Sequence, residues 1–288
     1  MHSSEILVYW HSLMERNEQD VMPALYSEGM VVLAQGEMKG GIFVVSLLGP
    51  PKVESRESFF QHFPSFADEE RFSGEVPESS TMIVLCEIWL DRPAVRQKLR
   101  TLFEGYCANR FLPELFVLVG NFHSIPLDSL GTNTAAYTRG FEQLAEIISS
   151  FPLLSRHSEI LLVPGPNDPF ASGILPRRAI ASPFVKSLAK LENVRFASNP
   201  CRIKFYGRDV VVHRDDLLGK IQRLALPALE PLCALEVGEE LHAQYAQYIL
   251  GQGHLSPLPL QVNPVYWQWD FSLRLDILPD AVRSTFLP

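Results

Sequence analysis

Cysteine is scarce and scattered in this chain: Cys86, Cys107, Cys201 and Cys233 stand far apart and form no Cys-x-x-Cys pair. A disulfide-dense scaffold is therefore excluded, and a reducing, intracellular compartment is the expectation. Positive charge is also short, with 25 Lys and Arg against 33 Asp and Glu and a net charge of -8. Phosphate affinity comes mostly from Lys and Arg, so there is no global electrostatic case for wrapping nucleic acid, and only a local basic patch is left open. Met1 to Trp10 holds acidic Glu5 and no basic stretch leading into a long apolar run, so neither a signal peptide nor a membrane span is expected. The Gly-x-x-x-x-Gly-Lys-Ser/Thr loop, the Gly-x-Ser-x-Gly elbow and the His-Glu-x-x-His helix are missing, which removes the commonest kinase, hydrolase and zinc-protease readings. No internal repeat or low-complexity tract stands out.

What is present suffices for a full core: 288 residues, 47% of them hydrophobic. Ile6, Leu7, Trp10, Leu13 and Met14 give a weak helical pattern within an unassigned segment, residues 1–23. Met30–Gly36 and Gly41–Leu48 are β-rich runs around Met38-Lys39-Gly40 and read as a hairpin. Pro50 to Ser80, rich in Pro, Ser, Glu and Gly, reads as a linker or long surface loop containing a domain boundary. Residues 24–80 are grouped on that basis, and 81–288 form the main domain. There Thr81–Trp89 reads as a buried strand. Pro93–Tyr106 reads as a helix burying Val95, Leu99, Leu102, Phe103 and Tyr106, with Pro93 at its start. The runs Leu115–Val119 and Glu159–Val163 are further strands, and Phe141, Leu144, Ala145, Ile148 and Phe151 mark a helix between them. This alternation predicts an α/β domain. A second hairpin is expected from Cys201–Tyr206 and Asp209–His213 around Gly207-Arg208, then helices near Asp215–Leu224 and Glu239–Leu250.

Ligand crevices of open α/β sheets lie beyond the strand C-termini. Three loops fall there: Cys86–Asp91, Gly120–Ser124 and Pro164–Asp168. They resemble the metal-binding loops of calcineurin-like phosphoesterases with the ligands removed. Such enzymes hold two divalent cations with anionic oxygens, neutral imidazoles and a bridging carboxylate. Where that family has Asp-x-His, this chain has Glu87-Ile88-Trp89, and an indole donates a hydrogen bond but cannot ligate. Where it has Gly-Asp, this chain has Gly120-Asn121. Its Gly-Asn-His-Asp is here Gly165-Pro166-Asn167-Asp168. No Gly-His-x-His pair follows; Gly253-His254-Leu255-Ser256 lacks the second His. Glu87, Trp89, Asn121, Pro166, Asn167 and Asp168 are thus the degenerate former metal-site positions, with no catalytic residue, metal or cofactor expected. Read blandly, Asp168 before Pro169 caps a turn, His123 is a hydrogen-bonded residue, His242 lies on a helix exterior, and Asp215-Asp216 starts a helix.

Val163–Pro169, Ser198–Ile203, His213–Leu217, Gln252–Leu260, Pro264–Asp270 and Leu278-Pro279-Asp280, in this order over residues 24–280, resemble the B-subunit family of the replicative DNA polymerases, that of polymerase epsilon in particular. The resemblance implies a calcineurin-like phosphoesterase β-sandwich flanked by helices, with a remnant of an oligonucleotide/oligosaccharide-binding (OB) domain in the Ala24–Pro51 hairpin and a C-terminally shortened main domain. It implies a nuclear scaffold that holds the zinc-binding C-terminal region of the polymerase epsilon catalytic subunit, together with other polymerase and helicase components and DNA within the complex, and no membrane. On this resemblance, most of the OB domain and the family's N-terminal helical domain are expected to be missing from this sequence. Tyr266, Trp267 and Trp269, with Phe271, are the candidate interface; the alternative is that alternate members are ordinary sheet core. Two other functions remain open at this point. One is a divergent metal-dependent phosphodiesterase built on Glu87, His123 and Asp168. The other is a single-stranded-DNA-binding module, which the acidic balance disfavours.

Overall fold

The computed structural model describes residues 25–65, 77, 80–126, 133–169, 173–224 and 239–285. The helical pattern of residues 6–14 and Cys233 lie outside them. The chain divides into two compact units, one of residues 1–63, 217–263 and 273–278, the other of residues 64–216, 264–272 and 279–288.

In the first unit, β1 (Leu33–Lys39) and β2 (Ile42–Gly49) form an antiparallel hairpin. Lys39 pairs with Ile42, so the turn is Gly40-Gly41, one residue later than Met38-Lys39-Gly40. Their φ values of 59° and 81° suit the twist of a two-residue hairpin turn and suit glycine. The stretch expected to be a loop contains α1 (Arg56–His62), whose first turn is capped by the Ser55 hydroxyl accepting from the Ser58 N–H at 3.1 Å. Two more of its described helices are α5 (Leu217–Arg223) and α6 (Glu239–Gln252). Leu241, Tyr245, Tyr248 and Ile249 recur at helical spacing and are buried, leaving His242 exposed as expected. The Tyr248 hydroxyl shares a 2.6 Å hydrogen bond with Ser27.

The second unit is α/β. Its parallel sheet runs β3 (Met82–Cys86), β4 (Leu115–Val119), β5 (Glu159–Val163), β6 (Val194–Phe196). The bounds of β4 and β5 are those expected from sequence; β3 stops before Glu87, three residues short of Trp89. The strand β4 is apolar throughout because both faces are covered. Phe116 and Leu118 meet α2 (Pro93–Asn109), α3 (Thr134–Ser149) and α4 (Pro152–His157) through Leu99, Phe103, Phe141, Leu144 and Leu154. Val117 and Val119 face the opposite way, packing with Val163, Cys201 and Val212. The latter two come from a second sheet, β7 (Cys201–Phe205), β8 (Arg208–Arg214), β9 (Ala281–Thr285), in which β7 and β8 are antiparallel and β8 and β9 parallel. Its hairpin turn is Tyr206-Gly207, at φ 46° and 78°, rather than Gly207-Arg208. Helices, parallel sheet and mixed sheet therefore form three layers, and the strand-end loops gather at one rim.

Candidate functional site

The strand-end loops of the second unit meet around one carboxylate. Glu87, just past β3, takes φ 56°, an uncommon region for a residue with a Cβ. This costs roughly 1 kcal/mol. The contacts it makes in return are dense. Trp89 Nε1–H donates to Oε2 at 2.8 Å, and the backbone N–H and side-chain amide of Asn121 reach Glu87 at 3.2 and 3.3 Å. Arg214 closes the circle from the end of β8: Nε–H donates to Glu87 Oε1 at 2.9 Å, while Nη2 lies 2.8 Å from the same oxygen as an ion pair bent away from hydrogen-bond geometry. Its Nη1 pairs with Asp216 Oδ1 at 2.5 Å. Burial alone would lower the Arg214 pKa, but Asp216 and Glu87 outweigh it and raise it. Asn121 Oδ1 accepts from the Asn167 N–H at 2.8 Å, tying in the loop after β5.

Asp168 anchors the neighbouring layer. Its Oδ1 accepts from the Phe122 N–H at 2.8 Å and the Tyr137 hydroxyl at 2.7 Å, and Oδ2 from the Gly165 N–H at 2.7 Å. It is 2% exposed. Burial raises its pKa to about 6 against the lowering pull of these donors, with a smaller upward push from Glu87. The Tyr137 phenol is raised well above its usual value, first by burial and then by Asp168. The loops approach so closely that only glycine fits at two positions. A Cβ at Gly120 would collide with Asp168 Oδ2 and sit 2.6 Å from the Gly165 nitrogen; one at Gly165 would sit 2.5 Å from Asn121 Oδ1.

Behind Arg214, the fully buried Asn199 uses all its amide capacity. Nδ2 donates to the carbonyls of Pro164 and Arg214 at 2.8 and 2.6 Å, while Oδ1 accepts from the Arg214 N–H at 3.1 Å and lies 3.0 Å from His213 Nδ1. Arg177, 3% exposed, pairs with Asp215 at 2.7 Å and donates to the Arg214 carbonyl at 3.1 Å.

The structure thus brings Glu87, Trp89, Asn121 and Asn167 into one bonded network, with Asp168 beside it and the half-buried Pro166 in the connecting turn. Beyond capping its turn, Asp168 joins two loops and a helix. His123 is engaged elsewhere, with Nδ1 2.9 Å from the Ile125 carbonyl and its ring tilted against that of Tyr137 with centroids 5.9 Å apart. Arg214, Asn199, Arg177 and Tyr137 escaped sequence reasoning. The available signal was a charged residue closing the apolar run Val210-Val211-Val212 of β8 at the crevice rim. Asp215 and Asp216 precede α5, as a helix start requires, but their carboxylates serve the two arginines.

Chemically, the carboxylates of the crevice are already engaged by donors of the protein itself. A pair of divalent cations would need several anionic oxygens and imidazoles, whereas here a guanidinium holds Glu87 and N–H or O–H donors hold both Asp168 oxygens. The donor set does not fit such a pair. Among the described residues no group of three or more His, Cys, Asp or Glu side chains is placed to hold a metal ion.

A separate surface of the same unit carries the aromatic run. Trp267–Leu273 forms a 3-10 turn rather than a strand, so the alternative of alternating sheet core fails. Tyr266 is 50% exposed, Trp267 72%, Trp269 54% and Phe271 59%. The turn is moored by Leu175, whose N–H donates to the Pro264 carbonyl at 2.9 Å and whose carbonyl accepts from the Tyr266 N–H at 2.8 Å. Beside it lies a cavity of about 760 Å³ lined by Ile174, Arg178, Ser198, Tyr266, Trp269 and Phe271. The charged residues lining it are Arg177, spent on Asp215, and the exposed Arg178.

The family model for the B-subunits of DNA polymerases alpha and epsilon matches residues 82–283, spanning both sheets and every loop of the crevice. The chain belongs to this DNA polymerase alpha/epsilon B-subunit family. Among its relatives, the DNA polymerase epsilon B-subunit of Arabidopsis thaliana is 33% identical over 93% of this chain and 53% of its own length. The human DNA polymerase epsilon subunit 2 is 32% identical over 90% of this chain and 50% of its own. The Schizosaccharomyces pombe polymerase epsilon B-subunit is 28% identical over 90% and 48%. This member of the B-subunit family therefore spans about half the length of the curated relatives it matches.

Proposed function

We propose that this chain is a non-catalytic accessory subunit of a DNA polymerase epsilon complex, acting in nuclear DNA replication as a scaffold for the catalytic subunit. Family membership supports the complex. The observation that carries the non-catalytic reading is the bonded crevice, in which Arg214 and backbone donors occupy the carboxylates that cations would require. On this reading the second unit is an inactivated calcineurin-like phosphoesterase domain and the β1–β2 hairpin a remnant of an OB domain. Losing the cations without losing the fold is physically reasonable, because unneutralised carboxylates repel and desolvated charges must be paired.

The zinc-binding C-terminal region of the catalytic subunit is the partner proposed for the face of Tyr266, Trp267 and Trp269, with helicase components and DNA engaged through the assembled complex. Four neighbouring exposed aromatic side chains beside a formed cavity have the composition of an interface centre, and Arg178 favours an acidic counterpart. Among the described residues, no helix is long and apolar enough to cross a membrane.

Two measurements test the proposal. Purified chain captured on the catalytic subunit's C-terminal region is expected to form a stable complex, weakened about 30-fold or more by Trp269→Ala, as for an interface anchor worth about 2 kcal/mol. No complex with the unaltered chain would remove the scaffold assignment. Elemental analysis with a Mn²⁺-supplemented phosphodiester assay is expected to show neither bound metal nor turnover; stoichiometric metal with turnover would instead establish a divergent phosphodiesterase.

A further inference from the structure

We infer that the Arg214 guanidinium serves the strand-end loops as a built-in cation, supplying the positive charge that a bound metal ion would otherwise supply and barring such an ion from Glu87. The inference rests on reading the crevice as a degenerate metal site and names the residue that replaces the metal. Arg214 is fully buried, so its charge must be balanced from within. Balance comes from Glu87 on one side of the fork, through Nε and Nη2 at 2.9 and 2.8 Å, and from Asp216 on the other, through Nη1 at 2.5 Å. A planar guanidinium suits this two-sided role better than a point-charge ammonium, and it stays protonated at any physiological pH.

The backbone of Arg214 leaves its side chain little choice of direction. Its N–H is held by Asn199 Oδ1, and its carbonyl by Asn199 Nδ2 and Arg177 Nη1. Through Glu87 the positive charge reaches Trp89 and Asn121, and through Asn121 it reaches Asn167. One side chain thereby organises the loops after β3, β4, β5 and β8, which is the connectivity a central ion would give. A divalent cation would need the same Glu87 Oε1 that two guanidinium nitrogens contact, so occupancy by one excludes the other. Removing the guanidinium alone should leave Glu87 and Asp216 as hard oxygen donors without a counter-charge, a setting suited to Mn²⁺.

The test uses the full chain, unaltered and as Arg214→Met, in thermal melts titrated with MnCl₂. The unaltered chain is expected to ignore Mn²⁺. Arg214→Met is expected to melt lower and to regain about 4 °C once Mn²⁺ reaches about ten times its dissociation constant. A folded Arg214→Met whose melting ignores Mn²⁺ overturns the inference. Should that variant fail to fold, Glu87→Gln/Arg214→Met decides: the double variant is expected to be the more stable because it no longer buries an orphaned carboxylate. A double variant no more stable than the single one overturns the inference too. Stoichiometric Mn²⁺ on the unaltered chain is a distinct outcome that overturns the non-catalytic reading itself.

Discussion

Replacing Asp168 by Asn removes a buried charge while keeping the side chain's shape, and its effect should depend on pH in a definite direction. The carboxylate accepts from three donors: Phe122 N–H, Tyr137 O–H and Gly165 N–H. An amide placed there must turn its NH₂ toward at least one of them, which costs about 1–3 kcal/mol at any pH. Against this stands the price of keeping the native carboxylate ionised. Its folded-state pKa of about 6 lies above the ordinary 3.8, so between these values the folded chain holds a proton that the unfolded chain has released. Stability therefore falls as pH rises through that window, by on the order of 3 kcal/mol in all. About 2 kcal/mol of this lies between about pH 4.5 and about pH 7.5. Asp168→Asn does not titrate, so it should be markedly less stable than the unaltered chain at the acidic end and close to it at the alkaline end. Urea unfolding followed by tryptophan fluorescence at several pH values measures the difference, in which all other titrating groups cancel. A stability gap that is flat with pH, or that widens as pH rises, would refute the account of Asp168.

The remaining expectations concern buried pairs and close backbones. Asp215→Ala leaves Arg177, 3% exposed, without its counter-charge, and should cost about 3–5 kcal/mol in denaturant unfolding; a loss under 1 kcal/mol would mean that water reaches the guanidinium. Gly165→Ala places a methyl 2.5 Å from Asn121 Oδ1 and 2.7 Å from its nitrogen, and should lower the melting temperature by several degrees, as overpacking costing about 1–3 kcal/mol does. Trp267→Ser, at a position 72% exposed, should leave stability within about 0.5 kcal/mol while weakening capture of the catalytic subunit's C-terminal region. A change of the opposite kind, lost folding with unchanged capture, would mark Trp267 as structural.

Strands sealed on both faces were the easiest features to read. Leu115–Val119 and Glu159–Val163 are short apolar runs ended by Gly120 and Pro164, and burial in two layers leaves no ambiguity of face. The α2 stripe of Leu99 and Phe103 was equally plain, since its period is local. Val194–Phe196 is too short to show a period, and β9 mixes Arg, Ser and Thr with Ala and Val, so both strands depend on their neighbours for recognition. The crevice positions Glu87, Asn121 and Asp168 could be named because strand ends locate them. Their partners could not: Arg214 is 127 residues from Glu87 and Tyr137 is 31 from Asp168, and only the closed fold makes them adjacent. The aromatic run left two readings open for a related reason, because alternation of Trp267 and Trp269 looks the same in a strand as in an exposed 3-10 turn.

The glycine pair at the rim bears on how such a chain diverges. Where Gly120 and Gly165 let two loops touch main chain to main chain, mutation has no side chain to modify and selection little to explore. Novelty should accumulate instead on outward positions such as Asn167 and the tryptophan-bearing turn, where a new side chain meets solvent rather than the backbone of a neighbouring loop.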